Sequence, residues 1–285
     1  MSRPAQPSGG TSPAWNLLSL MIVRPAEWIA LFYVAAMAVV ALRRPLPSSK
    51  RGRLWLACGF TIAAILALAS ADHPFLLAVR DWAPAGYVWA AYRLPALLVT
   101  SHHGSFERWL IASEGRWAEM LVRADARLPS TVREMFEAAY LVCYLLLPLG
   151  YVCLLLAGHA GERDRYWLAV IVAGALCYGG LPWLAVRTPR DVAPARPPTS
   201  TVRRVNQWLL SRASVGDNTF PSGHAAIALT IALTVGARMP IAGAAIGVIA
   251  AGVVAGSLLG RYHYTADAVA GIAVAAIAFA VSRLA

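Results

Sequence analysis

The feature that most restricts this chain is a series of apolar stretches, each long enough, or nearly so, to cross a bilayer. An α-helix rises 1.5 Å per residue, so about 20 apolar residues cover the roughly 30 Å of hydrocarbon. Residues 27–42, 54–71, 136–157, 167–186, 225–237, 241–259 and 266–280 fit that description once flanking residues are included. An eighth stretch, 84–100, is interrupted by Arg93 and Pro95, and suits an interfacial or re-entrant helix at least as well. Inside lipid every backbone polar group needs a partner within the chain. The expected fold is therefore all-α, a polytopic transmembrane helical bundle of about seven spans with an amphipathic, interfacial region.

The formal charge of +11, from 25 Lys and Arg against 14 Asp and Glu, fits nucleic acid, an anionic membrane surface or an acidic substrate. The basic residues sit in short connections between apolar stretches rather than on a soluble face, which argues against nucleic acid. The bilayer and an anionic lipid remain as partners. Cys58, Cys143, Cys153 and Cys177 all fall inside apolar stretches without metal-type spacing, so neither a disulfide nor a zinc site is expected. Residues 1–24 are rich in Pro, Ser and Gly and read as a disordered tail. The first apolar stretch runs into Arg43 and Arg44 without a small-residue cleavage site, and reads as a retained anchor.

The connection after that stretch carries Arg43, Arg44, Lys50, Arg51 and Arg53 and no acid, which assigns it to the cytoplasm. If 84–100 does not cross, residues 72–133 and 187–220 lie outside; if it does, 187–220 is cytoplasmic. The arginines of 187–220 argue for the cytoplasm, although arginines recruited for phosphate distort such a count. The expectation adopted is an inner-membrane protein with its active site on the outer face. Residues 105–126 mix Trp109, Ile111, Trp117, Met120 and Leu121 with charges, and fit either a helix lying on the membrane or a cap over the bundle.

Three segments place ionisable residues where a membrane chain avoids them. The first is "RTPRDVAPARPP", residues 187–198. The second is "NTFPSGH", residues 218–224, whose Pro221 opens a helix and whose N-terminus is a natural anion site. The third is "RYHYTAD", residues 261–267, where His263 and Asp267 lie four apart and share a helix face. One in-and-back hairpin separates the last two, so His224 and His263 meet at the same membrane face. A nucleophile, an acid and arginines for the equatorial oxygens are the parts that phosphoryl transfer requires.

"FPSGH" and "RYHYTADAVAG", after the arginine-rich segment, resemble the motifs of the type 2 phosphatidic acid phosphatase superfamily of membrane lipid phosphatases and phosphotransferases. In wording they are more similar to the branch containing inositol phosphorylceramide synthases. The resemblance covers roughly residues 132–285. It implies that His263 is a nucleophile forming a phosphohistidine, that Asp267 orients it, and that His224 is the acid toward the leaving group. It also implies that Ser222 and the Gly223 backbone bind phosphate. Ser257 stands where the family pattern has an arginine and Pro189 where it has a lysine, so the phosphate-binding cations are expected among Arg187, Arg190, Arg196 and Arg261.

The organisation expected is a tail at 1–24, two anchoring spans plus an interfacial or re-entrant region at 25–131, and a five-span catalytic core at 132–285. The activity expected is a hydrolase or transferase acting on the phosphate or diphosphate of a lipid, with no cofactor and no metal, and with water or an alcohol as acceptor. A catalytically impaired lipid-binding scaffold is the rival. His102 and His103 read as solvated loop residues, Arg203 and Arg204 as loop charges, and Tyr140, Tyr144, Tyr151 and Trp183 as packing or the wall of a lipid-chain groove.

Overall fold

The computed structural model describes residues 23–192, 201–217 and 219–285. The expected tail falls outside the described residues up to residue 22. The elements are helices: α1 Pro25–Arg43, α2 Ser48–Ala69, α3 Pro74–Ala96, α4 Gly104–Arg127, α5 Ser130–Leu156 and α6 Arg163–Tyr178. The short α7 Leu181–Leu184 and α8 Pro189–Val192 follow, then α9 Thr201–Ala213, α10 Gly223–Gly236, α11 Pro240–Leu259 and α12 Thr265–Leu284. Local chemistry sets several boundaries. Pro25 opens α1 while Glu27 accepts the Arg24 N–H at 2.7 Å. His73 caps α3 through Nδ1 and His103 caps α4 the same way, each accepting a backbone N–H at 3.2 Å.

Six helical segments are long and apolar enough to span a membrane: α1, α2, α5, Ala160–Leu184 around α6, α11 and α12. The protein is an integral, multi-pass membrane protein with the expected all-α bundle. The stretch at 225–237 forms α10, whose 14 residues, capped by Ser222, are fewer than in any of those six segments. The segment Ala160–Leu184 is the central span, 67% buried against 22–39% for the other five. Its α6 packs against α1, α3, α10 and α12, while α11 lies between α10 and α5.

Of the stretch left open, 84–100, residues 84–96 form the second half of α3, a continuous helix of 23 residues, and 97–100 follow its end. At about 1.5 Å per residue such a helix matches the thickness of the hydrocarbon core. Its first turns meet the starts of α1 and α6, through Arg80 to Glu27 at 2.6 Å and through Asp81 to Arg24 and Arg163, both at 2.9 Å. Its far end meets the other end of the bundle. Lys50 Nζ donates to the Val99 carbonyl at 3.0 Å, and the His103 N–H donates to the Ala185 carbonyl at 2.8 Å. The helix thus runs the length of the bundle, with Arg80 and Asp81 accommodated as ion pairs.

Candidate active site

The second and third motif segments are held together by backbone before any side chain is considered. The Ser222 N–H donates to the Asp267 carbonyl at 3.0 Å. The first turn of α12 therefore sits on the start of α10, a contact close enough that a Cβ on Gly271 would lie 2.7 Å from the Ser222 carbonyl oxygen. Asp267, the third residue of α12, accepts the Tyr264 N–H at 2.9 Å and is fully buried. The same oxygen, Oδ2, lies 3.3 Å from His263 Nδ1. His263 Nε2 in turn faces His224 Nδ1 at 3.2 Å, and His224 Nε2 reaches the Tyr144 hydroxyl at 3.3 Å. The line Asp267–His263–His224–Tyr144 runs from the buried interior toward the lipid-facing side of α5, where Tyr144 is exposed.

His224 and His263 line one cavity together with Arg190, Tyr140, Tyr262 and Thr188. Arg190 is the expected phosphate-binding residue that the fold places beside both histidines. Its guanidinium carbon lies 5.2 Å above the Tyr262 ring, and among the described residues it forms no ion pair. A cation over an aromatic face and not paired with a carboxylate remains available to an anion.

The other expected phosphate ligands are placed differently. Arg187 is half exposed and turned away from the cavity, its Nη2 donating to Glu107 at 2.6 Å while its backbone N–H donates to the same carboxylate. Those hydrogen bonds hold the Glu107 carboxyl below the ordinary range. Arg261 adopts φ 55° and donates to the Pro189 carbonyl at 3.3 Å, so it ties the third segment to the first. Ser222 is fully buried and its hydroxyl accepts the Ala225 N–H as a helix cap. Gly223 is packed so tightly on Tyr178 that a Cβ there would come within 2.4 Å of the ring. Arg196 lies outside the described residues.

Aromatic residues that were not singled out as site components build much of the pocket. Tyr140 stacks on Tyr262 with ring centroids 4.4 Å apart and lies 4.8 Å from the His224 ring. Tyr262 donates its hydroxyl to Glu137 Oε2 at 2.8 Å, and burial, with that carboxylate beside it, pushes the hydroxyl's pKa up. Glu137 is also bonded by Asn206 at 2.7 Å and paired with Arg203 at 3.4 Å. Arg203 is thus a mostly buried partner on α9 rather than a loop charge. The sequence signal for Tyr262 was its place next to His263; for Glu137 there was only a carboxylate inside an apolar stretch.

His102 is likewise no free loop residue: its Nε2 lies 2.7 Å from Oδ1 of Asp217, which shares the cavity wall. The helix α4 combines both expectations for 105–126. Trp109, Trp117 and Met120 are exposed, while buried Glu107 and Glu114 reach under it to Arg187 and to the Thr265 N–H at the start of α12. Of the four tyrosine and tryptophan candidates for a chain groove, Tyr140 and Tyr151 are core residues and Trp183 lies by Arg44. Tyr144 lines an apolar groove with Val88, Trp89, Leu147 and Ile227 that opens beside His224.

The model of the PAP2 superfamily matches residues 105–281, more than half of the chain. No curated protein and no solved structure matches it.

Proposed function

Because the chain belongs to the PAP2 superfamily, and so is a lipid enzyme of the phosphatase or phosphotransferase type, we propose that it cleaves a lipid phosphate or diphosphate through a phosphohistidine on His263, without a metal. The observation that carries this reading is the line of contacts from buried Asp267 through His263 to His224, with Arg190 on the same cavity. Asp267 takes the Nδ1 proton of His263 as a hydrogen bond and leaves Nε2 as the attacking atom. The 3.2 Å contact between the two imidazoles opens to admit the phosphorus, with its equatorial oxygens toward Arg190. As the N–P bond forms, the bond to the lipid oxygen breaks, and that oxygen takes a proton from His224. Water or an alcohol then gives a proton to His224, attacks the phosphorus and frees His263.

An acceptor alcohol is favoured by one feature, the polar side chains Ser214, Asp217 and Thr219 on the cavity wall. A carboxylate there does nothing for phosphate but accepts hydroxyl hydrogens well. The wording shared with the inositol phosphorylceramide synthase-like branch points the same way. In this reading residues 132–285 carry the chemistry, and 25–131 anchor the chain in the plasma membrane and shape lipid access.

The test is release of phosphate from lipid phosphates and diphosphates by purified protein in detergent with EDTA, with and without inositol or another alcohol. The wild type is expected to turn over; His263→Ala should be inactive, and His224→Ala and Asp267→Ala should lose about 10²–10⁴ in rate. Turnover that survives His263→Ala, or that EDTA abolishes, would exclude the metal-free phosphohistidine route. No turnover on any lipid with any acceptor would favour a binding scaffold of the same fold.

A further inference from the structure

We infer that the groove between α2 and α3 binds a phospholipid of net negative charge, separate from the substrate, whose phosphate is held by Arg93 and Arg53 beside the α9–α10 connection. The binding does not rest on the function proposed above; only its effect on turnover does.

The charged residues of α3 are treated unequally. Arg80 and Asp81 have protein counter-ions, in Glu27, Arg24 and Arg163. Arg93, near the other end of the helix, has none among the described residues. Its Nη1 donates to the neutral Ala213 carbonyl at 3.3 Å, and its guanidinium carbon lies 5.9 Å from the centroid of the Trp89 ring. A charge on a helix at membrane depth ordinarily finds a partner. A guanidinium presents five N–H donors in a planar fork, so most of those on Arg93 are left for an anion.

Arg93 lines an apolar groove of about 660 Å³ between α2 and α3, a volume typical of ligand sites, and no acid lines it. On α3 the lining runs from Ala83 to Leu97. At 1.5 Å per residue that is about 21 Å, more than half of the roughly 30 Å of hydrocarbon, so the groove takes acyl chains from a headgroup to the midplane. A Cβ on Gly86, in the same wall, would meet nothing within 4 Å. Trp89 separates this groove from the one that opens beside His224, since it lines both.

A second cation joins Arg93 at the same end. The bond from Lys50 to the Val99 carbonyl brings the start of α2 to the end of α3. Exposed Arg53 lies one turn before Ala57 of the groove, on the same face of α2, and thus beside the last turns of α3. The α1–α2 connection around it has no acid. Apolar walls with arginines at one end match acyl chains below an anionic headgroup. A zwitterionic headgroup brings its own cation to the same arginines and fits less well.

The headgroup end adjoins the catalytic cavity, because Ser214 lines both. The chain around Ser214 is held from α3, where the Tyr92 hydroxyl accepts the Val215 N–H at 2.9 Å and Arg93 bonds Ala213. Asp217 of the cavity wall follows two residues later. A phosphate that fixes Arg93 therefore steadies that wall, through helices that precede the residues matched by the family model.

The test titrates the purified full chain in detergent with phosphatidylglycerol or phosphatidylcholine of matched chains and counts retained lipid by native mass spectrometry. The wild type is expected to hold one phosphatidylglycerol, about tenfold tighter than phosphatidylcholine. Arg93→Gln and Arg53→Gln should each weaken phosphatidylglycerol about fivefold and leave phosphatidylcholine unchanged. Gly86→Phe, which fills the groove where there is room for a side chain, should remove both lipids, and Arg190→Ala should remove neither. Equal retention of the two lipids, or retention indifferent to Arg93→Gln and Gly86→Phe, would overturn the inference. Loss on Arg190→Ala would place the lipid in the catalytic cavity and overturn it too. A dimer in place of the lipid adduct, dissociated by Gly86→Phe, would give the groove to a second copy, with the same result. If Arg93→Gln fails to accumulate, Arg53→Gln and Gly86→Phe decide the question. Where a lipid substrate is turned over, phosphatidylglycerol should raise the rate in the wild type and not in Gly86→Phe. Retention as expected without turnover of any lipid would leave this site standing and remove the enzymatic reading alone.

Discussion

Tyr262 touches three parts of the site at once, so its substitutions separate their effects. Tyr262→Leu removes both the face beneath Arg190 and the hydroxyl that donates to Glu137, whereas Tyr262→Phe removes the hydroxyl alone. A cation–π contact of about 0.5–2 kcal/mol corresponds to a few-fold to roughly 30-fold in binding. Tyr262→Leu should weaken inhibition by vanadate by that factor, and Tyr262→Phe should leave most of it. In an Arg190→Ala background the leucine change should have little further effect on vanadate, because the cation it supports is gone. Equal effects in both backgrounds would mean that Tyr262 acts only through packing. Glu107 gives a pH-dependent companion. Its carboxyl is held low by the hydrogen bonds from Arg187, so the pair stabilises the fold above the ordinary glutamate value of about 4.3 and is lost as the pH falls through the folded value. Melting temperatures of wild type and Glu107→Gln should therefore differ at neutral pH and converge in acid.

At the scale of elements, the site depends on how closely α12 approaches the start of α10. Gly271→Ala would put a methyl group 2.7 Å from the Ser222 carbonyl, which is backbone and cannot turn aside. Overpacking of this kind costs about 1–3 kcal/mol. It should also move His263 relative to His224, so activity in detergent should fall further than the melting temperature alone explains. The sequence displayed the halves of this arrangement plainly. His263 and Asp267 meet as their spacing suggested, although His263 lies two residues before α12 rather than on one of its faces, and the α10–α11 hairpin returns His224 to the same end. The side chains that complete the pocket were hidden because their partners are remote along the chain: Glu137 meets Tyr262 across 125 positions. The arginines were only partly legible for the same reason, since nothing local indicates that Arg187 turns to Glu107 while Arg190 keeps the cavity. That α3 is one continuous helix was obscured because Arg80, Asp81, Arg93 and Pro95 interrupt its apolar run, whereas the fold satisfies Arg80 and Asp81 with Glu27, Arg24 and Arg163.

For the molecule as a whole, the family match begins at residue 105, yet the helices before it complete the interior of the part that follows. The central helix α6 packs on α1 and α3 as well as on α10 and α12. Val88 of α3 reaches Gly174 of α6, and Tyr33 of α1 reaches Gly179 just beyond its end. A chain starting at Gly104 would expose those faces of α6 to lipid and lose the α3 wall of the groove beside His224. It should fail to give a monodisperse peak in size-exclusion chromatography in detergent. A point change tests the same dependence without deletion. Glu27 and Arg80 form an ion pair buried on both sides, 2% and 7% exposed. Removing one partner of such a pair costs about 3–5 kcal/mol because the other charge stays behind without its counter-ion. Glu27→Ala should therefore lower the melting temperature, and replacing Arg80 as well, with Glu27→Leu and Arg80→Met, should recover much of the loss. If the single change is silent, α3 is not held against α1 by this pair, and the N-terminal helices are an anchor independent of the catalytic bundle. If the single change is costly and the double change recovers, charge complementarity is what allows a helix with Arg80 and Asp81 near its start to run the full length of the bundle.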